Sequence, residues 1–282
     1  MRLLLITLLS SCLSFAHAST VKQTVRPGVE ARATYLAGAA GKPAVLLLHG
    51  FLQTRDFPTI ATLTTGLNEA GYSVLAPTLS LNIPNRQKSL ACEAIHRHSM
   101  DDTLTELDIW VRWLRSNGHR NVVLLGHSFG ALQMLAYLSA QPDPAVKAFL
   151  AASLIEARTG NTARIAQLAD MRQRARNRPN ELVTASLSIC KTYRTNPQDL
   201  LSYIVWDDKQ TLAALKSLPV KTRLIVGDTD NRAGSGWIAA LRHVHPDLVL
   251  LSGANHFMSG ESEFDLLDSA LEFLSTVGQA AR

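Results

Sequence analysis

The sequence lacks the features by which nucleic-acid-binding proteins are usually identified, although it is basic. It carries a formal charge of +5 with a pI near 9.3, yet it has no zinc-finger spacing, no lysine-rich tail and no aromatic residues interleaved with basic ones. Long polar tracts are also missing, since only 18% of its 282 residues are charged and 46% are hydrophobic. We therefore expect a folded domain with a large core and no nucleic-acid partner.

An apolar run long enough to span a bilayer is missing as well. The N-terminus instead has the features of a signal peptide: a single charge at Arg2, a short apolar run over residues 3–9, and the sequence Ala-His-Ala ending at Ala18. Cleavage after Ala18 would remove residues 1–18 and leave residues 19–282 as an exported domain, periplasmic or secreted.

Cysteine is scarce, with three residues in the chain. Cys12 stands in Leu-Ser-Ser-Cys, which resembles a bacterial lipobox, so lipidation there is an alternative to cleavage after Ala18 and the one route to membrane contact. Otherwise Cys12 leaves with the signal peptide, and Cys92 and Cys190 remain. In an oxidising compartment such a pair is a disulfide candidate, and two free buried thiols are the alternative.

Metal-binding patterns are incomplete. His96 and His98 form one His-x-His pair, and His243 and His245 form another. Within a strand, such a pair would present both rings on one face, as a metal site requires. Neither pair has carboxylate or cysteine partners at metal-site spacing, so we expect no metal ion.

Short apolar strands alternate with longer helical patterns, which is typical of a parallel α/β sheet. Residues 44–48 and 122–125 are continuous apolar runs, as strands buried on both faces require. Residues 21–36 predict an antiparallel edge hairpin. The alternation stops at about residues 153–217, which we interpret as a helical cap inserted into the core domain, and it resumes at residues 222–226.

The strongest functional pattern is Gly126-His127-Ser128-Phe129-Gly130, between an apolar strand and a helical pattern. A nucleophile elbow has this setting, because a sharp strand-to-helix turn needs small residues two positions before and after the serine. We predict that Ser128 is a nucleophile.

A serine hydroxyl needs a base to become nucleophilic, and the partners of such an elbow follow in the order acid, then histidine. Asp230 comes just after a predicted strand, and His256 lies between the last strand and the last helix. We expect His256 to take the serine proton and Asp230 to orient His256. Asp228, in the same turn, is the alternative acid.

An oxyanion hole also has candidate donors. The sequence His49-Gly50-Phe51 follows the first buried strand, and Gly50 permits close backbone approach. The backbone N–H groups of Phe51 and Phe129 are predicted to bind the negative oxygen of a tetrahedral intermediate.

In these motifs, in their order and spacing, the chain resembles the α/β-hydrolase superfamily from about residue 40 to residue 275. The resemblance implies an α/β fold with a mostly parallel eight-stranded sheet, flanking helices and an inserted cap, and it implies no cofactor. A serine at the elbow, in place of aspartate, argues against epoxide hydrolases and haloalkane dehalogenases. We therefore expect hydrolysis of a small carboxylic ester through an acyl-enzyme on Ser128. Amide, thioester or lactone cleavage is an alternative, and a catalytically silent binding module is another.

The predicted cap carries a basic run, residues 171–178, with four arginines. If the run faces the site, it would attract an anionic substrate; a solvated helix face is the alternative. Tyr203 and Trp206 are expected to pack in the cap, and lining a substrate pocket is the alternative. A disulfide between Cys92 and Cys190 would attach the cap to the core.

Overall fold

A computed structural model of the protein describes residues 18–140, 142–157 and 164–279. The predicted signal peptide lies outside the described residues apart from Ala18, and so does Cys12. Among the described residues, none of the helices combines the length and apolar character that crossing a lipid bilayer requires.

The described residues form two sheets and the helices that pack around them. The strands are β1 (Ser19–Arg26), β2 (Val29–Leu36), β3 (Ala44–Leu48), β4 (Ser73–Thr78), β5 (Val122–His127), β6 (Val146–Ala152), β7 (Val183–Leu187), β8 (Cys190–Thr195), β9 (Lys221–Gly227) and β10 (Leu248–Leu251). The helices are α1 (Pro58–Glu69), α2 (Met100–Ser116), α3 (Phe129–Ser139), α4 (Arg164–Asn177), α5 (Pro197–Ile204), α6 (Asp208–Lys216), α7 (Ser235–Val244) and α8 (Ser262–Gln279).

The main sheet has eight strands in the order β1-β2-β4-β3-β5-β6-β9-β10. β1 and β2 form the expected antiparallel edge hairpin, and β2 also runs antiparallel to β4. All other pairs are parallel. The carboxyl ends of these parallel strands therefore lie at one edge, where ligands bind in open α/β sheets.

Helices cover both faces of the main sheet. Every residue of β3 and β5 is buried, which explains their continuous apolar sequences. On one face, α1 and α8 bury Leu63 and Phe273, and on the other, α2 and α3 bury Trp110 and Phe129. Ser99 and Asp102 form a capping box at the start of α2, which fixes where that helix begins.

The cap between β6 and β9 is not wholly helical, so that part of the sequence prediction is wrong. It contains α4, α5 and α6, but β7 and β8 form an antiparallel hairpin between them. β-branched and aromatic residues such as Val183, Thr184 and Tyr193 suit paired strands better than helix. Ser188 has a φ of 53° in the connecting turn. Both strands are short, and β8 also contains Lys191 and Arg194, so their pattern was weak in the sequence.

The hairpin is joined to the segment that follows β4. Cys92 and Cys190 form a disulfide with a Cα–Cα distance of 5.3 Å. An isolated parallel β-bridge pairs Ile95 with Arg194, and the His96 amide donates to the Arg194 carbonyl at 2.8 Å. The cap is thus attached to the core by a covalent bond and by backbone hydrogen bonding.

Candidate active site

Ser128 stands on a strained turn between β5 and α3. Its φ and ψ are 57° and −125°, which is uncommon for a residue with a side chain. Neighbouring backbone leaves no room for larger residues beside it: a Cβ at Gly126 would lie 2.6 Å from Ala131 Cα, and one at Gly130 would lie 2.3 Å from the His49 carbonyl oxygen. These clashes explain the two glycines of the motif and show how closely the turn packs against the end of β3.

Three side chains predicted to act together form one hydrogen-bonded chain. Ser128 Oγ lies 2.8 Å from His256 Nε2, and His256 Nδ1 lies 2.8 Å from Asp230 Oδ2. All three residues are buried: the exposed fraction is 6% for Ser128, 4% for His256 and 2% for Asp230. A base within hydrogen-bond distance of a hydroxyl, itself oriented by a carboxylate, can deprotonate that hydroxyl.

The Asp230 carboxylate is held from two sides. Oδ2 faces His256, while Oδ1 accepts hydrogen bonds from the amides of Arg232 at 2.9 Å and Ala233 at 3.0 Å. Burial raises the pKa of Asp230, but the hydrogen bond from His256 and those from the two amides outweigh it, so the net pKa is below the ordinary value. Asp230 is therefore ionised at neutral pH, as a carboxylate that orients a histidine must be.

Asp228, the alternative acid, has a different place. Its Oδ1 accepts a hydrogen bond from the Gly253 amide at 2.7 Å, and the residue is exposed. It therefore holds the turn before the His256 loop and does not contact the histidine ring.

His127, a position that the sequence analysis left without a role, supports the same loop. Its Nε2 donates a hydrogen bond to the His256 carbonyl oxygen at 2.9 Å. Burial lowers the pKa of His127 to about 4, so the ring is neutral at physiological pH. Thr59 donates to the Phe257 carbonyl at 2.6 Å. Two hydrogen bonds from β5 and α1 thus fix the backbone that carries His256.

The two amides predicted to form an oxyanion hole lie on adjoining segments. A Cβ placed on Gly50 would be 3.4 Å from Ser128 Cβ, so the chain before Phe51 passes directly beside the serine. The rings of Phe51 and Phe129 are 4.7 Å apart. Among the described residues, the Phe51 amide donates no loop or turn hydrogen bond, and the Phe129 amide stands at the start of α3, where helix amides have no acceptor within the helix.

A groove opens beside the turn that carries Asp230. It has a volume of about 370 Å³ and lies between the hairpin turn of the cap and the ends of β6 and β9. Its lining comprises Ile155, Ser188, Ile189, Asn231 and Arg232. The groove is mostly apolar with one cation, which suits a small molecule that has an apolar part and an acceptor or a negative charge.

The cation of this groove is not in the basic run that the sequence suggested. Arg174, in residues 171–178, forms ion pairs with Asp170 and Glu181, and the neighbouring arginines are exposed. The run is mainly a solvated helix face. Arg232 instead lies against the Phe257 ring, with its guanidinium carbon 4.6 Å from the ring centre. Its position two residues after Asp230 was the signal that could have indicated it.

The histidine pairs lie outside any strand, so the proposed strand alternation does not occur. His98 Nδ1 lies 2.7 Å from the Tyr203 hydroxyl, and His96 stacks on Tyr193 with ring centres 4.3 Å apart. His243 is exposed on α7. Among the described residues, no three potential ligands cluster in a way that would hold a metal ion.

Tyr203 packs as expected, but its neighbours give it a place near the site. Its ring is 5.8 Å from the Phe129 ring, and the Tyr193 ring is 5.8 Å from the Phe51 ring. The cap therefore rests directly on the side chains of the two residues whose amides form the candidate oxyanion hole.

The arrangement of strand, elbow, acid turn and histidine loop is that of a hydrolase, and the comparisons with known proteins agree. Residues 45–267 match the model of the alpha/beta hydrolase family. The chain belongs to this family. None of the curated protein sequences matches it significantly.

Three solved structures illustrate the likeness in fold. The alpha/beta hydrolase GrgF from Penicillium sp. sh18 is 17% identical with a TM-score of 0.71, covering 93% of this chain and 99% of that one. A monoacylglycerol lipase from Paleococcus ferrophilus is 17% identical with a TM-score of 0.65, covering 88% and 100%. A thermophilic esterase from Thermogutta terrifontis, solved with malate bound, is 17% identical with a TM-score of 0.62, covering 93% and 100%.

Proposed function

We propose that the protein is an exported serine hydrolase that cleaves a small carboxylic ester through an acyl-enzyme on Ser128. The observation that carries this proposal is the continuous hydrogen-bonded chain from Ser128 through His256 to the ionised Asp230. These three hydrogen-bonded side chains can activate the Ser128 hydroxyl without any metal or cofactor having to take part.

The reaction has two halves. Ser128 Oγ attacks the ester carbonyl as its proton passes to His256 Nε2, and the carbonyl becomes an anionic tetrahedral centre at the amides of Phe51 and Phe129. The bond to the leaving alkoxide then breaks, and His256 returns its proton to that oxygen. Water repeats the sequence on the acyl-enzyme, which releases the acid and restores Ser128.

An ester is preferred to an amide because of the leaving group. The site offers one proton donor, His256, and an alkoxide leaves more readily than an amine anion, which needs protonation before it departs. The names of the lipase and the esterase that share the fold agree with this preference. Amide, thioester and lactone cleavage use the same groups and remain the alternatives.

The groove beside Asp230 supports a preference for an ester that has an apolar part and an anionic substituent. Ile155 and Ile189 give it apolar walls, and Arg232 gives it a positive charge. The Arg232 guanidinium lies against the Phe257 ring and is in no ion pair with a described residue, so a substrate carboxylate there could bind it directly.

Turnover of a panel of p-nitrophenyl esters with acyl chains of two to twelve carbons tests the proposal, alongside the corresponding anilides and thioesters. We expect the ester with a short or medium chain to react fastest and the Ser128→Ala variant to be inactive. Faster turnover of thioesters or anilides would establish one of the alternatives. No turnover of any compound by well-folded protein would favour the silent binding module.

Export rests on residues 1–18 of the sequence. We propose cleavage after Ala18, so intact-mass analysis of the protein from the periplasm or medium should give a chain that begins at Ser19. A lipid-modified Cys12 in the membrane fraction would instead establish the lipoprotein, and an intact N-terminus in the cytoplasm would contradict export.

A further inference from the structure

The segment that carries the Phe51 amide contains a backbone conformation that a side chain disfavours. In this oxyanion loop, residues 49–53, Leu52 has a φ of 57°, which side-chain-bearing residues rarely adopt. The hydrogen bonds within the loop all involve Gly50: two join it to Gln53, at 3.1 and 3.2 Å, and His49 Nδ1 donates to its carbonyl at 2.8 Å. The carbonyls of Leu52 and Gln53 are therefore held by groups outside the loop.

Arg86 makes most of these outside contacts, and the Leu90 amide adds one, a hydrogen bond to the Leu52 carbonyl at 3.0 Å. The residue is only 4% exposed, and its guanidinium donates to the Gln53 carbonyl at 2.7 Å and to the Leu52 carbonyl at 3.4 Å. The same group lies 3.4 Å from His49 Nε2. Three residues of the oxyanion loop therefore contact one side chain.

The guanidinium also connects the loop to two other segments. It donates to the Leu79 carbonyl, just after β4, at 2.6 Å and to the Lys88 carbonyl at 2.9 Å. The Leu79 amide in turn donates to His49 Nε2 at 3.1 Å. A lysine in this place would supply three donors from one atom and would not reach all of these acceptors at once.

The charge on Arg86 is not neutralised by contact. No carboxylate among the described residues forms an ion pair with it. Burial lowers the pKa of Arg86 to about 10, against the opposing effect of the Glu106 charge, so it remains protonated at neutral pH. A buried cation that only carbonyls and a neutral ring contact is costly to keep, because its loss of hydration is incompletely replaced.

We propose that Arg86 is the positioning residue of the oxyanion hole: its guanidinium fixes the oxyanion loop so that the Phe51 amide points at the tetrahedral oxygen, and its positive charge favours that anion. The inference rests on the proposed function, because it assumes that Ser128 forms such an intermediate. The proposal also gives the unpaired positive charge of Arg86 a role, because an anionic intermediate nearby would stabilise that charge.

The test compares Arg86→Lys and Arg86→Met with Arg223→Lys and Arg223→Met. Arg223 is a matched control because it lies on β9, away from the oxyanion loop. Its side chain is also largely buried, but it forms ion pairs with Asp247 and Glu272. For each protein, kcat and KM for p-nitrophenyl butyrate are measured, and kcat is divided by the fraction of Ser128 that a fluorophosphonate labels at long times. The melting temperature is recorded in parallel.

We expect Arg86→Met to lose roughly 100-fold in kcat per labelled serine, the scale of a misplaced oxyanion donor, with KM changed less than about threefold. Arg86→Lys, which keeps the charge, should lose less than Arg86→Met. The rate of phosphonylation, which passes through a similar anionic centre, should fall with kcat. The Arg223 variants should lose melting temperature and keep kcat.

A kcat per labelled serine within threefold of the wild type in Arg86→Met, whatever its melting temperature, would overturn the proposal. If that variant does not fold, an unchanged kcat in Arg86→Lys would overturn it equally. Failure of both variants to fold would replace it with a purely structural role. Absence of turnover and labelling in the wild type would instead reject the proposed function itself.

Discussion

Replacing Asp230 with asparagine should nearly abolish activity, because both carboxylate oxygens accept hydrogen bonds and an asparagine side chain has only one acceptor oxygen. Oδ1 accepts hydrogen bonds from the amides of Arg232 and Ala233, and Oδ2 accepts one from His256 Nδ1. An asparagine can keep its oxygen toward the two backbone amides, and its NH₂ group then faces His256. The histidine must accept at Nδ1 and carry its proton on Nε2, so it can no longer accept the proton of Ser128.

In the opposite orientation, the asparagine oxygen would accept from His256 Nδ1 and leave Nε2 free to take the Ser128 proton. The asparagine NH₂ group would then point at the two backbone amides, which are donors themselves. Leaving two buried donors without acceptors costs about 2–6 kcal/mol. That preference suppresses the productive orientation by a factor of roughly 30 to 10⁴. The lost charge on Asp230 removes stabilisation of the protonated His256 as well, so we expect kcat to fall by about 10³- to 10⁴-fold.

Asp228→Asn is the matched control. Its oxygen can still accept from the Gly253 amide, so kcat should stay within about threefold of the wild type. Both variants would be assayed with p-nitrophenyl butyrate, with circular dichroism melts to show that they fold. An Asp230→Asn variant that retains more than a tenth of wild-type kcat, or a greater loss in Asp228→Asn, would refute the reasoning.

Three other predictions follow from the structure. Reducing the bond between Cys92 and Cys190, which closes a separation of 98 residues, should lower the free energy of unfolding by about 2–4 kcal/mol; unchanged melting with reductant, or two reactive thiols in denatured unreduced protein, would contradict this. Burial lowers the pKa of His49 and His98 to about 3, so these rings stay neutral when folded but take up protons below about pH 6.5 when unfolded. Stability should therefore fall with pH below that value, by about 2 kcal/mol per histidine at pH 5 in urea titrations, and a flat profile from pH 7 to 5 would argue against it. Arg232→Gln should raise KM about tenfold for an ester bearing a carboxylate and leave the KM of its neutral isostere unchanged, whereas equal effects on both would remove the charge from substrate recognition.

The sheet and the nucleophile turn could be predicted because their signals are local. Residues 44–48 and 122–125 have the continuous apolar sequence that a doubly covered strand needs, and both lie in central strands. Gly126 and Gly130 mark the elbow because backbone lies where their side chains would be. Asp230 could be preferred to Asp228 because of its position in the turn, three residues beyond the end of β9.

The cap and the support of the oxyanion loop depend on contacts between distant parts of the chain, which no local pattern reveals. β7 and β8 are five and six residues long, too short for their alternation to stand out. The disulfide remained open because the sequence does not give the distance between Cys92 and Cys190. Arg86 stands in a polar stretch that reads as a solvated loop, and its burial arises only when β4, residues 86–90 and the oxyanion loop meet.

The central claim is that Ser128 is an activated nucleophile, and mass spectrometry of the protein after fluorophosphonate treatment tests it most directly. We expect one adduct per chain, on the peptide that contains Ser128, and none in Ser128→Ala; brief mixing with p-nitrophenyl butyrate and acid quenching should give a butyryl adduct at the same residue. An adduct on another residue, or no adduct on folded protein, would contradict the account.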